Sequence, residues 1–374
     1  MMLIHACSAT CPPACANAPL RPVGSAKRAF TIDFHAHVLT PAVEAMVRDR
    51  PQKKAEPDMM LRTMGEASVQ HNMTHMLPPA FRKMTTLVER LADMDTMGVD
   101  MQVLSPSPTQ YYYWSDEDLS QDIVRTQNEH IAEQCALRPD RLAGLGTIAL
   151  QHPKLAVAQL THLVKTLGLR GIEVSSSING FELADSRFEL VWAAACELGA
   201  LVFIHPLGSS LGERTNRHYL ANTIGQPLET TIALSELIFG GVLDRHPGLR
   251  IVAAHGGGYL PSYFGRSDHA FKVRPEAHRM KLAPREYLRR IWFDTLVYEP
   301  EILRHLIDVV GASQLLVGTD YPFDMGSYDP HRLLEAVPGL SDHDRMRILG
   351  GNAAELLGLA VGADTPQNVA DHHD

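Results

Sequence analysis

Long apolar runs are missing from this chain: no run of 18 or more apolar residues occurs, so no segment reads as a membrane-spanning helix. Basic charge is also short. Lysine and arginine total 34 against 43 aspartates and glutamates, a net charge of −9 with no basic stripe, which argues against a nucleic-acid surface. Cysteine is scarce, five in 374 residues, and three of the five crowd into Cys7, Cys11 and Cys15. No GxGxxG follows the first apolar run, so a Rossmann-type dinucleotide site has no support.

What is present is an ordinary globular composition, 45% hydrophobic and 21% charged, in a length that suits one large α/β barrel or two to three smaller domains. Residues 1–29 stand apart through their Pro, Ala and Ser content and are expected to form a disordered tail; Cys7, Cys11 and Cys15 do not have the spacing of the usual zinc knuckles. Residues 361–374 are expected to be a polar tail, leaving one domain over 30–360. Cys135 and Cys196 sit on apolar, helix-like faces and are expected to be buried thiols in a reducing, cytoplasmic compartment.

Between the tails the chain alternates regularly. Apolar, β-branched runs recur as "FTIDFHAH", "VDMQVLSP", "LAGLGTIAL", "GIEVSS", "LVFIHP", "RIVAAHGG", "IWFDTL" and "LLVGTDY". Stretches such as "FRKMTTLVERLADMDTMG", "DIVRTQNEHIAEQCALRPD", "KLAVAQLTHLVKTLG" and "FELVWAAACELG" carry helical periodicity and end in Gly, or in Pro and Asp. Eight such βα units predict a (β/α)8 barrel, with a doubly wound open sheet as the alternative. No internal repeat is evident.

In "TIDFHAHVL", residues 31–39, strand alternation sets His35 and His37 on one face with Asp33 beside them. Such a pair can chelate a divalent ion, but it equally reads as two polar residues hydrogen-bonded at a strand end. In a barrel the catalytic groups gather at the C-terminal ends of strands. The polar residues ending the runs here are His35 and His37, His205 of "VFIHP", His255 of "VAAHGGG" and Asp320 of "LVGTDYPF". His35, His37, His205 and Asp320 make the N/O donor set of a mononuclear zinc-type site, with manganese the other candidate. His255, further round the rim, is then free to act as general acid/base.

The strings "DFHAHVL", "FIHPLG", "ETTIALSELIFGGVLDRHPGLRIVAAHGGGYLPSYFGR" and "VGTDYPF", with "LSPSPTQYYYW" and "RLAGLGTIALQHP", resemble the aminocarboxymuconate-semialdehyde decarboxylases and their relatives in the amidohydrolase superfamily, over about residues 31–358. The resemblance implies a distorted (β/α)8 TIM barrel of the amidohydrolase type. It implies a metal on His35, His37, His205 and Asp320, with His255, Arg266 and Asp320 counted as catalytic. It also implies a homodimer in which Arg266 reaches the neighbouring site and binds a substrate carboxylate; on residues alone Arg266 reads as a helix-surface arginine. Tyr219 and Phe323 are expected beside the substrate. The family's second carboxylate-binding arginine has no plain counterpart: the ungapped match falls near Pro78, with Arg82 and Arg62 as nearby substitutes. In "RTNRHYLANTIG" Tyr219 and Asn222 stand where the family has tryptophans, so the carboxylate pocket is expected to be rebuilt.

These residues suit loss of CO₂ without PLP, NAD or O₂, because a metal can polarise a substrate oxygen while a histidine delivers the proton. The expected activity is a metal-dependent nonoxidative decarboxylase of a carboxylated aromatic acid or ring-cleavage product, with a small carboxylic acid as partner and neither nucleic acid nor membrane. The alternative is a hydrolase or hydratase of the same superfamily. A metal-binding scaffold without turnover is disfavoured by the presence of His255.

Overall fold

The computed structural model describes residues 29–359. The expected tails, with Cys7, Cys11 and Cys15 in the first, lie outside the described residues apart from Ala29. Every expected strand forms: β1 (Ile32–Val38), β2 (Met101–Pro106), β3 (Leu142–Gly144), β4 (Gly171–Val174), β5 (Leu201–Ile204), β6 (Arg250–Ala253), β7 (Trp292–Asp294) and β8 (Leu315–Leu316). They pair in parallel as two runs, β1-β2-β3 and β8-β7-β6-β5-β4. Bridges from Gly146 to Ile172 and from Asp33 to Val317 join the runs, so the ring closes as a distorted (β/α)8 barrel. A short antiparallel pair, Ser177–Ile178 with Phe181–Glu182, follows β4 and was not anticipated.

Alternation sorts the side chains into a packed interior and an outer wall. Ile32, Phe34, Met101, Val103, Leu201, Phe203, Val252 and Leu316 fill the barrel, and Ala353, Ala354, Leu356 and Leu357 from the C-terminal helix Asn352–Leu357 close it from below. Asn352 anchors that plug through Nδ2, which donates to the carbonyls of Ala312 and Leu315, each at 2.8 Å. Outward residues such as Leu104, Ile172, Val202 and Ile251 pack under the helices with the fully buried Trp192. Above the apolar layers the interior turns polar.

One expectation about β1 is corrected. Asp33 does not share the face of His35 and His37, because the register of β1 against β2 shifts between Asp33 and Ala36 and reverses the alternation. Asp33 instead points to the outer wall, where its carboxylate accepts from Gln102 Nε2 at 2.9 Å and Thr319 Oγ1 at 2.7 Å.

The helical stretch expected over 81–98 is two helices. Thr86 is extended (φ −124°, ψ 105°) between Leu77–Thr85 and Leu87–Met97. The break lets Ala80 and Met84 pack on Leu39 near the barrel mouth while Leu87 and Met94 pack on the wall, two surfaces that one straight helix cannot serve. Ahead of it, helices Pro41–Val47, Pro51–Met64 and Glu66–His71 make an excursion from the C-terminal end of β1. Gly65 (φ 81°) lies so close to the Asn216 backbone that a Cβ there would overlap its carbonyl, so the excursion docks on the loop after β5. Cys135 and Cys196 are half-buried rather than buried, and unpaired. No helix among the described residues is long and apolar enough to cross a membrane.

Trp192 Nε1 donates to the Leu183 carbonyl at 3.0 Å from a fully packed position between the barrel wall and the helices. Trp192→Ala is expected to lower unfolding free energy by about 3–5 kcal/mol in a urea titration. A loss below ~1 kcal/mol would mean that this wall is not a tight core.

Candidate active site

The polar layer at the C-terminal rim is built by the same alternation that fills the barrel below it. His205 is the next inward residue after Leu201 and Phe203, and Asp320 the next after Leu316 and Gly318. Closure of β1 against the end of β8 sets the rest: the Asp320 amide donates to the His35 carbonyl at 2.9 Å and the His37 amide to the Tyr321 carbonyl at 2.8 Å. His35, His37, His205 and Asp320 thereby come together, with one donor atom from each lying within 4.8 Å of the others.

The geometry suits a cation. His35 Nε2 and His37 Nε2 are 3.1 Å apart, and Asp320 Oδ1 lies 3.3 and 3.2 Å from them. Donors bound to one ion at about 2.0–2.2 Å sit this close together. His35 Nδ1 faces Asp294 Oδ2 at 2.7 Å and His37 Nδ1 faces the Pro106 carbonyl at 3.2 Å, so in both rings the inner nitrogen carries a lone pair when the imidazole is neutral. Both ring nitrogens of His205 and Oδ1 of Asp320 are buried without a hydrogen-bond partner. Orphaned buried polar atoms are costly, and one divalent ion would satisfy the lone-pair nitrogen of His205 and Oδ1 of Asp320 together.

Electrostatics points the same way. Burial opposes charge on His35, but the Asp320 carboxylate and the hydrogen bond to Asp294 outweigh it and push the imidazole up to about 10. Burial raises Asp320 and Asp294, and His35 overcomes it, holding both carboxyls below the usual range, Asp320 far below. His205 is driven well down by burial and by its histidine neighbours. The two carboxylates therefore favour positive charge beside them, while His205 resists carrying it as a proton.

His255 stands beside the four rather than apart from them, its ring centroid 5.0 Å from that of His205 and 5.3 Å from that of His35, and its Nε2 3.8 Å from Asp320 Oδ2. His255 (φ 56°) and Asp320 (φ 58°) are both left-handed, an outlying conformation for residues with a Cβ and one that concentrates at functional sites. Phe323 packs its ring 5.4 Å from that of His37. Tyr219 is half-buried in the field of Asp324 and Asp320; burial, then those charges, push its hydroxyl up to about 12. Arg266 is exposed on helix Leu260–Val273 and is not brought to its own chain's cluster; it lines a surface groove with Tyr259, Tyr263 and Leu228. Arg82 is exposed and paired with Glu89, and Arg62 is exposed, so neither is placed as a substitute for the second arginine.

Two buried acids at the rim escaped the reading of strand ends. Glu173 of β4 accepts from the Tyr111 hydroxyl at 2.6 Å and lies 3.6 Å from His37 Nδ1, with burial pushing its carboxyl up. Asp294 ends β7. The signal for each was a single charged residue inside an apolar strand, in "GIEVSS" and "IWFDTL".

A closed parallel barrel with three histidines and a carboxylate converging at its C-terminal rim is the architecture of a barrel enzyme with a donor set suited to one divalent cation. The chain belongs to the amidohydrolase family, whose model, described as Amidohydrolase, matches residues 32–359. Among relatives, the 2-amino-3-carboxymuconate-6-semialdehyde decarboxylase of Dictyostelium discoideum is 36% identical over 272 residues, covering 72% of this chain and 76% of that protein. Among solved structures, 5-carboxyvanillate decarboxylase from Sphingomonas paucimobilis matches with a TM-score of 0.76 at 27% identity, over 89% of this chain and all of that one (100%). The 5-carboxyvanillate decarboxylase of Novosphingobium aromaticivorans, solved with manganese and a nitrobenzoic acid, shares the fold with a TM-score of 0.77 at 21% identity, over 90% of this chain and 98% of that one.

A pH dependence follows for the metal-free protein. Because His35 holds its proton more tightly folded than unfolded, its contribution to stability is full below pH 6.5 and is lost as pH rises through about 10. Urea unfolding of chelator-treated protein is expected to show stability falling across that window, and His35→Asn to lack the fall; a wild-type profile flat over the window would contradict the assignment.

Proposed function

We propose that this chain is a metal-dependent, nonoxidative decarboxylase of a carboxylated aromatic acid or of a semialdehyde or dienoic ring-cleavage product. The observation that carries the reading is the buried His205, with no partner for either ring nitrogen, converging with His35, His37 and Asp320 beside His255. Those four residues would hold the ion, which supplies a Lewis acid able to polarise a substrate oxygen. Zinc suits three imidazoles and a carboxylate, and manganese is the alternative.

The chain's own residues supply the rest. His255 serves as the general acid and delivers a proton to the unsaturated carbon that bears the carboxylate. That carbon accepts the proton with its π electrons; the C–C bond then breaks, its electron pair restores the π system, and CO₂ departs. Phe323 and Tyr219 wall the approach, so a planar acid enters against an aromatic surface. A substrate carboxylate in this acid-rich site needs a guanidinium, and Arg266 is assigned that role across a homodimer. Supporting this, Arg266 lies exposed in a groove with Tyr259 and Tyr263, and no described Lys or Arg pairs with Asp320. The unpaired Cys135 and Cys196 suit a reducing, cytoplasmic setting.

Metal analysis with a carboxylic-acid panel scored for CO₂ tests the reading. The native protein is expected to carry about one metal per chain and to release one CO₂ per acid consumed. His35→Ala, His205→Ala and Asp320→Ala are expected to lose the metal, and His255→Ala to keep it while kcat falls by roughly two to four decades. Water uptake without CO₂ would place the chain among hydrolases or hydratases, and full metal occupancy in the ligand variants would remove the site.

The shared site has its own test. Mixed His255→Ala and Arg266→Ala proteins are expected to regain part of the activity, since some mixed dimers contain one intact site. No recovery, with subunit exchange confirmed, would remove Arg266 from the neighbouring site.

A further inference from the structure

Asp294 is fully buried, at the end of β7, and the proton transfer described above does not use it. Its carboxylate is nonetheless completely engaged. Oδ2 accepts from His35 Nδ1 at 2.7 Å and from the His255 backbone amide at 2.9 Å; Oδ1 accepts from the amides of Gly256 at 2.8 Å and Leu296 at 3.1 Å. An ionised carboxylate offers about four lone-pair positions, and here four donors fill them. No other group among the described residues is bonded both to one of the four clustered residues and to the backbone of His255.

The surroundings are shaped to hold this acid in place. A Cβ on Gly318 would come within 2.6 Å of Asp294 Cβ and 3.0 Å of His35 Cβ, so the bare glycine lets the two side chains meet. His255 and Gly256 follow one another in the left-handed region, at φ 56° and 60°, with their amides turned toward Asp294. A Cβ on Gly257 would meet the Phe293 ring at 2.6 Å, so the turn is pressed against β7 itself. A non-glycine residue in this conformation persists only where its surroundings over-determine it.

We propose that Asp294 is a positioning residue shared by the two halves of the chemistry, gripping His35 through Nδ1 so that Nε2 faces the other three clustered residues and fixing the left-handed turn that aims His255. The inference rests on the reading of His35 as a ligand and His255 as the proton carrier. Asparagine at 294 is nearly isosteric yet cannot serve all four donors. Its Nδ2 must oppose either His35 Nδ1–H and the His255 amide, or the amides of Gly256 and Leu296, so two contacts become donor against donor in either orientation. The substitution also removes the anion that balances a divalent charge beside Asp320.

The test is Asp294→Asn, read without turnover. Zinc affinity, measured by chelator competition, is expected to fall about 10–100-fold. In the zinc-loaded variant, hydrogen exchange is expected to lose protection at His255 and Gly256 while amides of β2 and β5 keep theirs; a merely structural role would loosen the barrel as a whole. In a His255→Ala background the zinc effect should persist. Wild-type zinc affinity with protected His255 and Gly256 amides would overturn the proposal, and so would a zinc loss that leaves those amides unchanged, because Asp294 would then serve His35 alone. Should Asp294→Asn fail to fold, the zinc-loaded native protein decides through a long-range ¹H–¹⁵N spectrum: a proton on His35 Nδ1 upholds the arrangement, and its absence overturns it. If His35→Ala keeps its zinc, the ligand reading fails first, and the exchange of His255 and Gly256 in Asp294→Asn still reports on the turn.

Discussion

The pairing of the first strand with the end of the last is the contact on which the molecule depends. Residues nearly 290 apart in sequence meet there, as the Phe34 amide donates to the Val317 carbonyl and the Asp320 amide to the His35 carbonyl. These bonds close the barrel and, in the same stroke, set two histidines from one end of the chain against a carboxylate from the other. Loop closure over such a length is paid for by the continuous apolar filling beneath, since the parallel bonds themselves contribute only modestly.

Above that filling the barrel inverts its chemistry over a few residues. Phe34 and Phe203 pack edge to face at 5.8 Å, and His35 meets the same Phe203 edge to face at 5.0 Å, so the polar cluster rests directly on an aromatic floor. The low dielectric of that floor sharpens every charge above it. A second brace lies behind β1 on the outer wall: Arg90, buried, bonds to the His37 carbonyl and, at 2.9 Å, to Gln102 Oε1, while Gln102 Nε2 holds Asp33. The strand bearing His35 and His37 is thus clamped from inside by packing and from outside by a buried ion network.

Strand alternation and strand ends made the barrel, the four clustered residues and His255 legible in the sequence, because those signals are local and their periods are fixed by backbone geometry. What escaped depends on long-range registry. Asp33 obeys the alternation in sequence, yet a register shift two residues later moves it to the opposite face. Asp294 and Glu173 look like lone charges in apolar runs until the barrel shows which face is inward. The helical excursion between β1 and β2 carries weak amphipathic signals because much of it is exposed, with no buried residue in Pro51–Met64. Arg266 shows the same limit at the next level, since a surface arginine acquires a role only through what lies opposite it.

The plug at the base of the barrel has a bearing on how the molecule comes into being. Leu356 and Leu357 seal the apolar interior, and Arg250 of β6 bonds to the Leu356 carbonyl. On the ribosome the chain emerges from its N-terminus, so His35 and His37 are made long before Asp320, and the seal comes after that. Until the final helix leaves the exit tunnel the barrel has an open floor, although Asp320, the last of the four clustered residues, precedes that helix. Completion of the core is therefore the last event: a nascent chain halted before residue 350 carries all eight strands and the four clustered residues but lacks the helix Asn352–Leu357 that seals the apolar interior.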